Sequence, residues 1–400
     1  MIRLPFDSNS ETADYFEDLA TSHEFRVRVM ILDGDEEELT SLTKTANSVI
    51  SGAVQYDARA DISRRLSLTF LDQEGKIQFR AGTPAPQAVF VNHFVSVVRE
   101  DFSPLVGKWV ACPVFYGPIT SFHRQGAEVG IEAMGKELLL QPPYAAKQTY
   151  TRGAGVRISE VIQTIARAQG ERKFLLPVTT NAKLHRRFTI PKWGAVWPKL
   201  TKLAAAHNMF LFYNGRGQLC LRRRKTPDDA PFVFDGEFVV STPSVDFDFT
   251  AFRNTVRVIG ANPDGPKRAP VAVRYEPPSS QLAPVRIAWN DEPQYLVETI
   301  ENSDIHRKRG AERLAETELR RLARVENVVS FEALPVPPLE EFDPARLDVE
   351  IDHIEYVADF LMEQWTLPLD AGGSMQVGDL RLKKFTRMPQ QLRGGGGRNR

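Results

Sequence analysis

The strongest constraint on the fold is a stretch in which apolar and polar residues alternate, residues 62 to 70. One face of this stretch consists of its even positions, which are Ile62, Arg64, Leu66, Leu68 and Phe70. A period of two residues predicts a β-strand with one buried face. A turn at residues 72 to 75 ends the strand, and a long apolar run at residues 88 to 98 follows it. We therefore expect this strand to belong to the first sheet of a β-barrel.

Composition limits what the chain can be. A sequence of 400 residues exceeds one ordinary core, so we expect about two to four domains. Its formal net charge of zero argues against a dedicated nucleic-acid binder, which usually carries a basic excess. No apolar run approaches the roughly 20 residues of a membrane span, and the acidic N-terminus lacks the apolar core of a signal peptide. We therefore expect the protein to be made and folded in a cytoplasm.

Motifs that carry chemistry are missing from the sequence. Its two cysteines, Cys112 and Cys220, exclude a disulfide framework and are expected to be small buried residues. The seven histidines are scattered without ligand spacing, and there is no GxSxG, HExxH, Walker or GxGxxG motif. The sequence therefore predicts a protein that is not an enzyme and that holds no metal and no cofactor.

Two groups of ionisable residues are candidate sites: His353 with Asp352 and Glu355, and the acidic residues near position 340. Asp352 and His353 are adjacent on a predicted strand and should point to opposite faces, which disfavours a metal site. The residues Glu340, Glu341 and Asp343 follow a proline-rich turn, so we expect a solvated loop there rather than a catalytic pair of carboxylates.

The N-terminal part of the chain reads as an arm followed by strands. Residues 1 to 24 are rich in Asp and Glu and are predicted to be a solvated arm, with anchoring by aromatic residues as the alternative. Pro113 interrupts a strand at residues 109 to 116 and predicts an edge or a bulge. Gly117 and Pro118 predict a turn, after which a hairpin follows at residues 119 to 133.

From residue 150 the hydrophobic period becomes helical. One helix has an apolar face that includes Ile158 and Ile165, and Gly170 ends it; a second is predicted at residues 194 to 207. A hairpin follows at residues 209 to 223, with Asn214-Gly215 expected in a type I′ turn. The C-terminal part predicts further strands, including one at residues 356 to 367, and a long charged helix at residues 304 to 324.

The order of these pieces resembles that of the tail hub or minor tail proteins of long-tailed phages, including the N-terminal structural domains of tail-associated lysins. The fragments that carry the resemblance are residues 54 to 72, the two helices with the hairpin 209 to 223, the strand 254 to 260 with residues 278 to 280, the charged helix followed by residues 333 to 343, and residues 365 to 375.

The resemblance implies a mainly β fold with α+β insertions, built like a baseplate hub from two tube-type β-barrels and small intervening domains. The implied domains are an N-terminal arm (1–24), a first barrel (25–100), a small β domain (101–149), an α+β module (150–225), a linker (226–244), a second barrel with an inserted helix (245–385) and a flexible Gly/Arg tail (386–400).

The resemblance also implies partners and a location. Three copies would place six similar barrels in a ring around the DNA exit path, at the tail tip of a virion assembled in the host cytoplasm. The expected partners are a distal tail protein ring above, the C-terminus of the tape measure protein, other minor tail proteins or fibres, and DNA in passage.

The clearest basic patch is the run Arg222, Arg223, Arg224 and Lys225. It is expected to be either a solvated strand end or a surface that faces an acidic partner or DNA, because clustered cations attract phosphate. The alternative function for the whole chain is a cell-wall-active enzyme or a carbohydrate-binding β-protein of the tail tip. That alternative requires at least a pair of carboxylates in a cleft.

Overall fold

A computed structural model describes residues 4, 6, 9–21, 24–41, 49–72, 93–176, 182–184, 187–207, 209–223, 232–248, 252–260, 269–302, 308–323, 326–351 and 354–381. The protein is mainly β, with helices inserted between strands. Among the described residues, no helix is both long enough and apolar enough to cross a membrane. The chain divides into two compact units, the first formed by Met1–Pro243 with Ser330–Arg400 and the second by Ser244–Val329.

The helices and strands of the N-terminal half are α1 (Asn9–Ala20), β1 (Phe25–Leu32), β2 (Glu38–Ser41), β3 (Val49–Asp57), β4 (Arg64–Leu71), β5 (Phe94–Ser103), β6 (Lys108–Gln125), β7 (Glu128–Met134), a 3-10 helix (Lys136–Leu140), β8 (Tyr150–Arg152), α2 (Ile158–Gln169), β9 (Phe174–Leu175), β10 (Phe188–Ile190), α3 (Trp197–Ala205), β11 (Met209–Tyr213) and β12 (Leu219–Arg223).

Those of the C-terminal half are β13 (Phe232–Phe234), β14 (Ser244–Asp248), β15 (Thr255–Gly260), β16 (Val271–Tyr275), β17 (Ala288–Trp289), β18 (Glu292–Pro293), β19 (Val297–Asn302), α4 (Lys308–Leu322), β20 (Glu326–Ala333), β21 (Pro344–Ile351), β22 (Ile354–Leu361), β23 (Gln364–Pro368) and β24 (Met375–Arg381).

A large sheet runs through the first unit, and its strands follow the order β20-β24-β23-β3-β4-β7-β6-β5-β1-β2. The predicted alternation is confirmed from Arg64 to Phe70, because Leu66, Leu68 and Phe70 are buried while the residues between them are more exposed. It is wrong at the start of the range, because the strand begins at Arg64 and Ser63, expected on the outer face, is buried. Arg64 lies on the same buried face. A buried positive charge in that position needs a negatively charged partner within the fold.

Strand β6 is long and bent, and it joins both halves of this sheet. Its first part pairs with β5 and its last part pairs with β7. The bulge predicted at Pro113 is confirmed, because Val97 pairs with Phe115 and Val98 pairs with Pro113, which leaves Val114 as the extra residue. The predicted turn at Gly117 and Pro118 is wrong, because the strand continues through both residues and changes pairing partner there.

The end of the chain returns to the first strands. β23 pairs with β3 in antiparallel fashion, which brings the ring of Trp365 into a stack with Tyr56 at 4.3 Å between ring centroids. The single strand predicted at residues 356 to 367 is instead two strands, β22 and β23. Because β5 crosses position 100 and pairs with β6, the predicted boundary there lies inside continuous strand pairing. The division into two barrels and small domains stays a prediction.

The solvated arm expected at residues 1 to 24 is wrong for the described part of that segment. Helix α1 buries Tyr15 and Leu19 completely, and the Tyr15 hydroxyl donates to Asp101 Oδ2 at 3.4 Å. Asp18 Oδ2 accepts from the Leu105 amide at 3.1 Å and from the Ser103 hydroxyl. An amphipathic helix explains the composition, because Glu17 faces water, Asp18 is buried with hydrogen-bond partners, and one side of the helix packs on β5.

The predicted helices of the α+β region are confirmed. α2 buries its apolar face and ends at Gly170, whose φ of 116° lies in the left-handed region that favours glycine. α3 carries a proline in its first turn, where the missing amide costs no hydrogen bond. Both helices pack with β11 and β12 around one apolar core.

The second unit is a small α/β layer. Its sheet has the order β16-β15-β19, with β15 antiparallel to β16 and parallel to β19. Helix α4 covers one face and buries Val256, Val258 and Ala272 against Ala311 and Ala315. The predicted charged helix is thus confirmed over Lys308–Leu322, and residues 304 to 307 and 324 of the predicted range lie outside the described residues.

Candidate functional site

A cluster of buried charged side chains lies in the first unit, where β4, the 3-10 helix, the hairpin β11–β12 and residues 339 to 343 meet. We call it the charge junction, and we call residues 339 to 343 the acidic segment. The members of the charge junction are Ser63, Arg64, Glu137, Arg222, Glu340 and Glu341.

Arg64 is the central cation of the charge junction. Its side chain is 3% exposed, and it binds Glu341 through two parallel hydrogen bonds, Nε to Oε1 at 2.7 Å and Nη2 to Oε2 at 2.6 Å. Nη1 also donates to the Val114 carbonyl at 3.2 Å, and the Tyr56 hydroxyl donates to the same carbonyl at 3.0 Å. The bulge in β6 therefore supplies the acceptor that completes the hydrogen bonding of a buried guanidinium.

The acidic segment is folded tightly onto the hairpin β11–β12. Asp343 Oδ2 accepts from the Glu340 amide at 2.9 Å, and Phe342 has a positive φ of 60°. The Phe342 ring packs against Phe210 with 4.6 Å between centroids. Glu340 and Glu341 are each 1% exposed, so the solvated loop expected here is wrong. The buried Arg64 and the half-buried Arg222 compensate the carboxylate charges that the sequence pattern assigned to water.

Arg222 binds this acidic segment from the hairpin. Its Nη2 lies 2.6 Å from Glu340 Oε2, and its guanidinium lies over the Phe212 ring at 5.1 Å. Arg222 thus already has an acidic partner within its own chain, whereas Arg223 is exposed at the end of β12. Arg224 and Lys225 lie outside the described residues. A partner-facing or DNA-facing role stays a prediction for Arg223, Arg224 and Lys225.

Glu137 is the carboxyl of the charge junction that lacks a cation. It is 1% exposed, and its Oε1 lies 2.8 Å from Ser63 Oγ, which in turn lies 3.2 Å from Glu341 Oε1. Its other oxygen, Oε2, is buried without a hydrogen-bond partner in the described part of the chain. Burial raises the pKa of Glu137 to about 7, because the charged form loses hydration. Hydrogen bonds from its own backbone amide and from Ser63 oppose this rise in the pKa, and the nearby Glu341 adds to it.

A cavity of about 190 Å³ adjoins Glu137 and Glu341. Its walls include Ser63 and side chains from α3 and β11, among them Trp197 and Phe212. Drug-sized ligand sites are commonly about 300 to 1,000 Å³. This cavity is therefore too small for an ordinary sugar or peptide site, although water fits.

A second buried cation lies beside the charge junction. Lys136 Nζ binds Glu36 Oε1 at 2.7 Å and Glu171 Oε2 at 2.9 Å, so the side chain of Lys136 serves two other carboxylates. Burial by itself would raise the pKa of Glu36, but hydrogen bonds from Lys136 and Lys173 outweigh it and lower the pKa. This pairing ties the loop after β1 to the α+β region.

The two cysteines lie in the core, whereas the tryptophans divide between the core and the surface. Cys112 and Cys220 are free and fully buried, as predicted, and burial raises the pKa of each thiol to about 12. Trp197 and Trp365 are core residues, whereas Trp193 and Trp289 are 72% and 73% exposed. No three His, Cys, Asp or Glu side chains are grouped as metal ligands in the described ranges.

Sequence reasoning missed the charge junction, although one signal pointed to it. Arg64 occupies an even position of the alternating strand, on the face that was expected to be buried. A buried arginine requires a buried carboxylate, and Glu341 was available but had been assigned to a loop. For Glu137 we find no comparable signal, because the sequence around it has no period.

Comparison with known proteins gives no match to any protein-family model or to any curated protein. Solved structures do match. A 43 kDa tail protein of prophage MuSo2 from Shewanella oneidensis aligns with a TM-score of 0.57 at 14% identity, over 88% of this chain and 98% of that one. A tail protein from Neisseria meningitidis MC58 aligns with a TM-score of 0.56 at 13% identity, over 90% and 97%.

A chain of the Francisella PdpA-VgrG complex aligns with a TM-score of 0.54 at 9% identity. The match covers 94% of this chain and 62% of the Francisella chain. Identities this low establish the fold alone. The chain has the mainly β fold of these phage tail proteins and of the VgrG-complex chain, as the resemblance of its sequence predicts.

Proposed function

We propose that the protein is a structural hub of a phage tail tip. Three copies form a ring in which two barrel-like parts per chain give pseudo-six-fold symmetry around the DNA exit path. The ring joins the tail tube and its distal tail protein to the host-contacting tip. The C-terminus of the tape measure protein and other minor tail proteins or fibres are its further partners.

The observation that carries this proposal is the extent of the structural match. The similarity to the two prophage and bacterial tail proteins runs over at least 88% of this chain and at least 97% of those chains. A match over whole chains supports a shared role better than a match over one domain does. Proteins of one fold usually differ in function through sites added to that fold, and a match over whole chains leaves little room for such additions.

The charge junction suits a structural role of this kind. Buried ion pairs contribute little net stability, but they fix geometry, because any rearrangement would leave an unpaired buried charge. Here they hold strand β4, the hairpin β11–β12 and the acidic segment in one arrangement. A hub that must match a ring above it needs such fixed internal geometry.

The mass of the purified protein in solution tests the proposal. One chain weighs 45.0 kDa, so light scattering coupled to size exclusion should give about 135 kDa, three times that mass, at high concentration. A stable six-copy ring would contradict the presence of two barrel-like parts per chain. A monomer at every concentration, also in the presence of the tail tube protein, would contradict the hub itself.

A surface interaction at the end of β12 belongs to the same proposal. Arg223, Arg224 and Lys225 dock on an acidic partner in the tip. Replacing Arg223 and Arg224 by Glu should leave the isolated fold intact and weaken tip assembly, most strongly at low salt, where screening is least. If the change has no effect on tip assembly at any salt concentration, Arg223, Arg224 and Lys225 are solvated side chains that bind no partner.

One observation favours the alternative, a cell-wall-active enzyme of the tip. Glu137 and Glu341 line the same cavity, and their environments differ, as those of an acid and a base do. Against this, both carboxyls are at most 1% exposed, and Arg64 occupies both oxygens of Glu341. Clearing of a cell-wall suspension by the protein, abolished in Glu137→Gln, would establish the enzyme, and no clearing is expected.

A further inference from the structure

We propose that Glu137 is a proton-controlled latch of the charge junction: its neutral carboxyl closes the contact between β4, the hairpin β11–β12 and the acidic segment, and its ionisation loosens that contact. The inference concerns a single chain. It goes beyond the hub function and would stand whatever the number of copies in the assembly.

The hydrogen-bond geometry around Ser63 is satisfied in full when a carboxyl group carries a proton. Ser63 Oγ lies within hydrogen-bond distance of Glu137 Oε1 and of Glu341 Oε1, at 2.8 Å and 3.2 Å. A serine hydroxyl has one proton and can donate to only one of these oxygens. The other contact becomes a full two-centre hydrogen bond when a carboxyl donates to Ser63. Glu341 already accepts from Arg64 through both oxygens, so the donor is Glu137.

The charges around Glu137 lead to the same assignment. Arg64 is bound to Glu341, and Arg222 is bound to Glu340. Lys136, the neighbour of Glu137 in sequence, points to Glu36 and Glu171 instead. No cation within the described residues forms a salt bridge with Glu137, and the nearby Arg64 lowers the pKa of Glu137 by less than burial raises it. An ionised buried carboxylate without a cation is strongly disfavoured, whereas the neutral acid is not.

The elements packed against Glu137 carry further titratable groups. β4 contributes Arg64, and the acidic segment contributes Glu340, Glu341 and Asp343. β11 contributes Tyr213, whose pKa burial raises well above its ordinary value. The side chains that α3 places at the cavity, such as Trp197 and Thr201, do not titrate.

Two further charges come from the turn before β4. It contributes Arg59, which binds Glu363 at 2.8 Å, and the exposed Asp61, and both residues line the cavity. Glu137 itself combines full burial with a pKa raised to about 7.

Ionisation of Glu137 would change the contact in a defined way. A second negative charge would then lie across Ser63 from Glu341, and the hydrogen bond from Glu137 to Ser63 would be lost. The adjoining cavity gives water a place to enter and hydrate the new charge. Because β11 and the acidic segment form the cavity walls, these are the elements that should loosen.

The test compares thermal unfolding of the full chain between pH 5 and pH 8 for the wild type and Glu137→Gln, which carries a neutral side chain at every pH. The control is Glu132→Gln, the same change at an exposed residue of neighbouring β7. The wild type and the control should melt several degrees lower at pH 8 than at pH 6, whereas Glu137→Gln should show a much smaller change. A fall in Glu137→Gln as large as that of the wild type would overturn the latch.

A second readout keeps the test decisive if Glu137→Gln does not fold. Amide hydrogen exchange of the wild type, corrected for the intrinsic effect of pH, should show lower protection of β11 at pH 8 than at pH 6. The strands β1 and β5 do not line the cavity, so the protection of their amides from exchange should be the same at both pH values. Equal protection of β11 at both pH values would also overturn the latch.

Discussion

Two hairpins of this chain have asparagine in the turn, and they fold differently. The hairpin β11–β12 has the sequence Asn214-Gly215, which favours a type I′ turn with positive φ at both residues. Positive φ is found instead at Gly217, with 69°, and the turn is closed by Gly217 donating to the Asn214 carbonyl at 2.9 Å. The type I′ turn predicted at Asn214-Gly215 is therefore wrong.

The hairpin β17–β18 adopts the type I′ turn that was expected of the hairpin β11–β12. Trp289 pairs with Glu292, and the two residues between them, Asn290 and Asp291, have φ of 52° and 65°. Asp is less suited to that position than Gly, yet the type I′ turn forms. Trp289 at its base is 73% exposed. The turn of this hairpin follows the conformational preference of its own residues, because few other side chains pack against it.

Docking explains the difference. A Cβ atom on Gly215 would lie 1.9 Å from the Pro113 carbonyl oxygen and 3.0 Å from Arg64 Nη1. The first hairpin therefore presses bare backbone against the bulge in β6 and against the charge junction. Its glycine is needed for close approach rather than for positive φ. A docked turn is determined by its contacts, and a free turn by its own residues.

The largest effect is expected beneath the docked hairpin. Glu341→Ala leaves Arg64 buried without its partner and should lower the free energy of unfolding by about 3 to 5 kcal/mol. The matched control is Asp359→Ala, which removes the partner of Arg346 in a pair whose side chains are 40% and 23% exposed. That change should cost at most about 1 kcal/mol. Urea denaturation measures both, and equal losses would contradict a buried junction.

The next effect is a pH dependence. Glu137 has a pKa of about 7 in the folded protein against 4.5 ordinarily, so the folded state binds the proton more tightly. Its contribution is fully present below pH 4.5 and is lost as pH rises through 7, by about 3 kcal/mol in total. Chemical denaturation at several pH values measures it. Stability that rises between pH 5 and pH 8 would contradict the assignment.

Gly215→Val should lower the free energy of unfolding by about 1 to 3 kcal/mol, because the added side chain overlaps the β6 backbone. Gly153→Val is the control, since a Cβ atom on Gly153 meets nothing within 4 Å. Thermal denaturation of both variants tests whether close approach is the cause. An equal loss of stability in both variants would show that replacing glycine by valine is unfavourable in itself, and that close approach at position 215 is not the cause.

The smallest effect belongs to the free hairpin. Asp291→Gly relieves a positive φ and should stabilise β17–β18 by a few tenths up to about 1 kcal/mol. Amide exchange of residues 288 to 293 should slow, while that of β11–β12 stays unchanged. A slowing in both hairpins would contradict their independence, and a faster exchange at β17–β18 would contradict the turn assignment.

Elements with a strong local period could be predicted from the sequence. The strand β4, the helices α2 and α3 and the hairpin strands β11 and β12 were correct because alternation or a helical apolar face fixes them. The resemblance to tail proteins, based on the order of such pieces, predicted the fold. The anchoring of α1 was missed because its acidic residues masked two buried side chains, Tyr15 and Leu19.

The charge junction could not be predicted because its members are far apart in the sequence. Arg64 meets Glu341 across 277 positions, and Glu137 meets Ser63 across 74. The bulge at Val114, which supplies a carbonyl to Arg64, follows from Pro113, but the use of that carbonyl does not. Long-range pairing of charges depends on the complete fold, whereas turn and strand preferences do not.

Imaging of the purified particle tests the central claim, a structural hub of three chains. Averaged end-on views of negatively stained protein should show a ring with three-fold symmetry in which six similar lobes surround a central channel. A ring built from six chains, or particles that stay single chains in the presence of the tail tube protein, would contradict it.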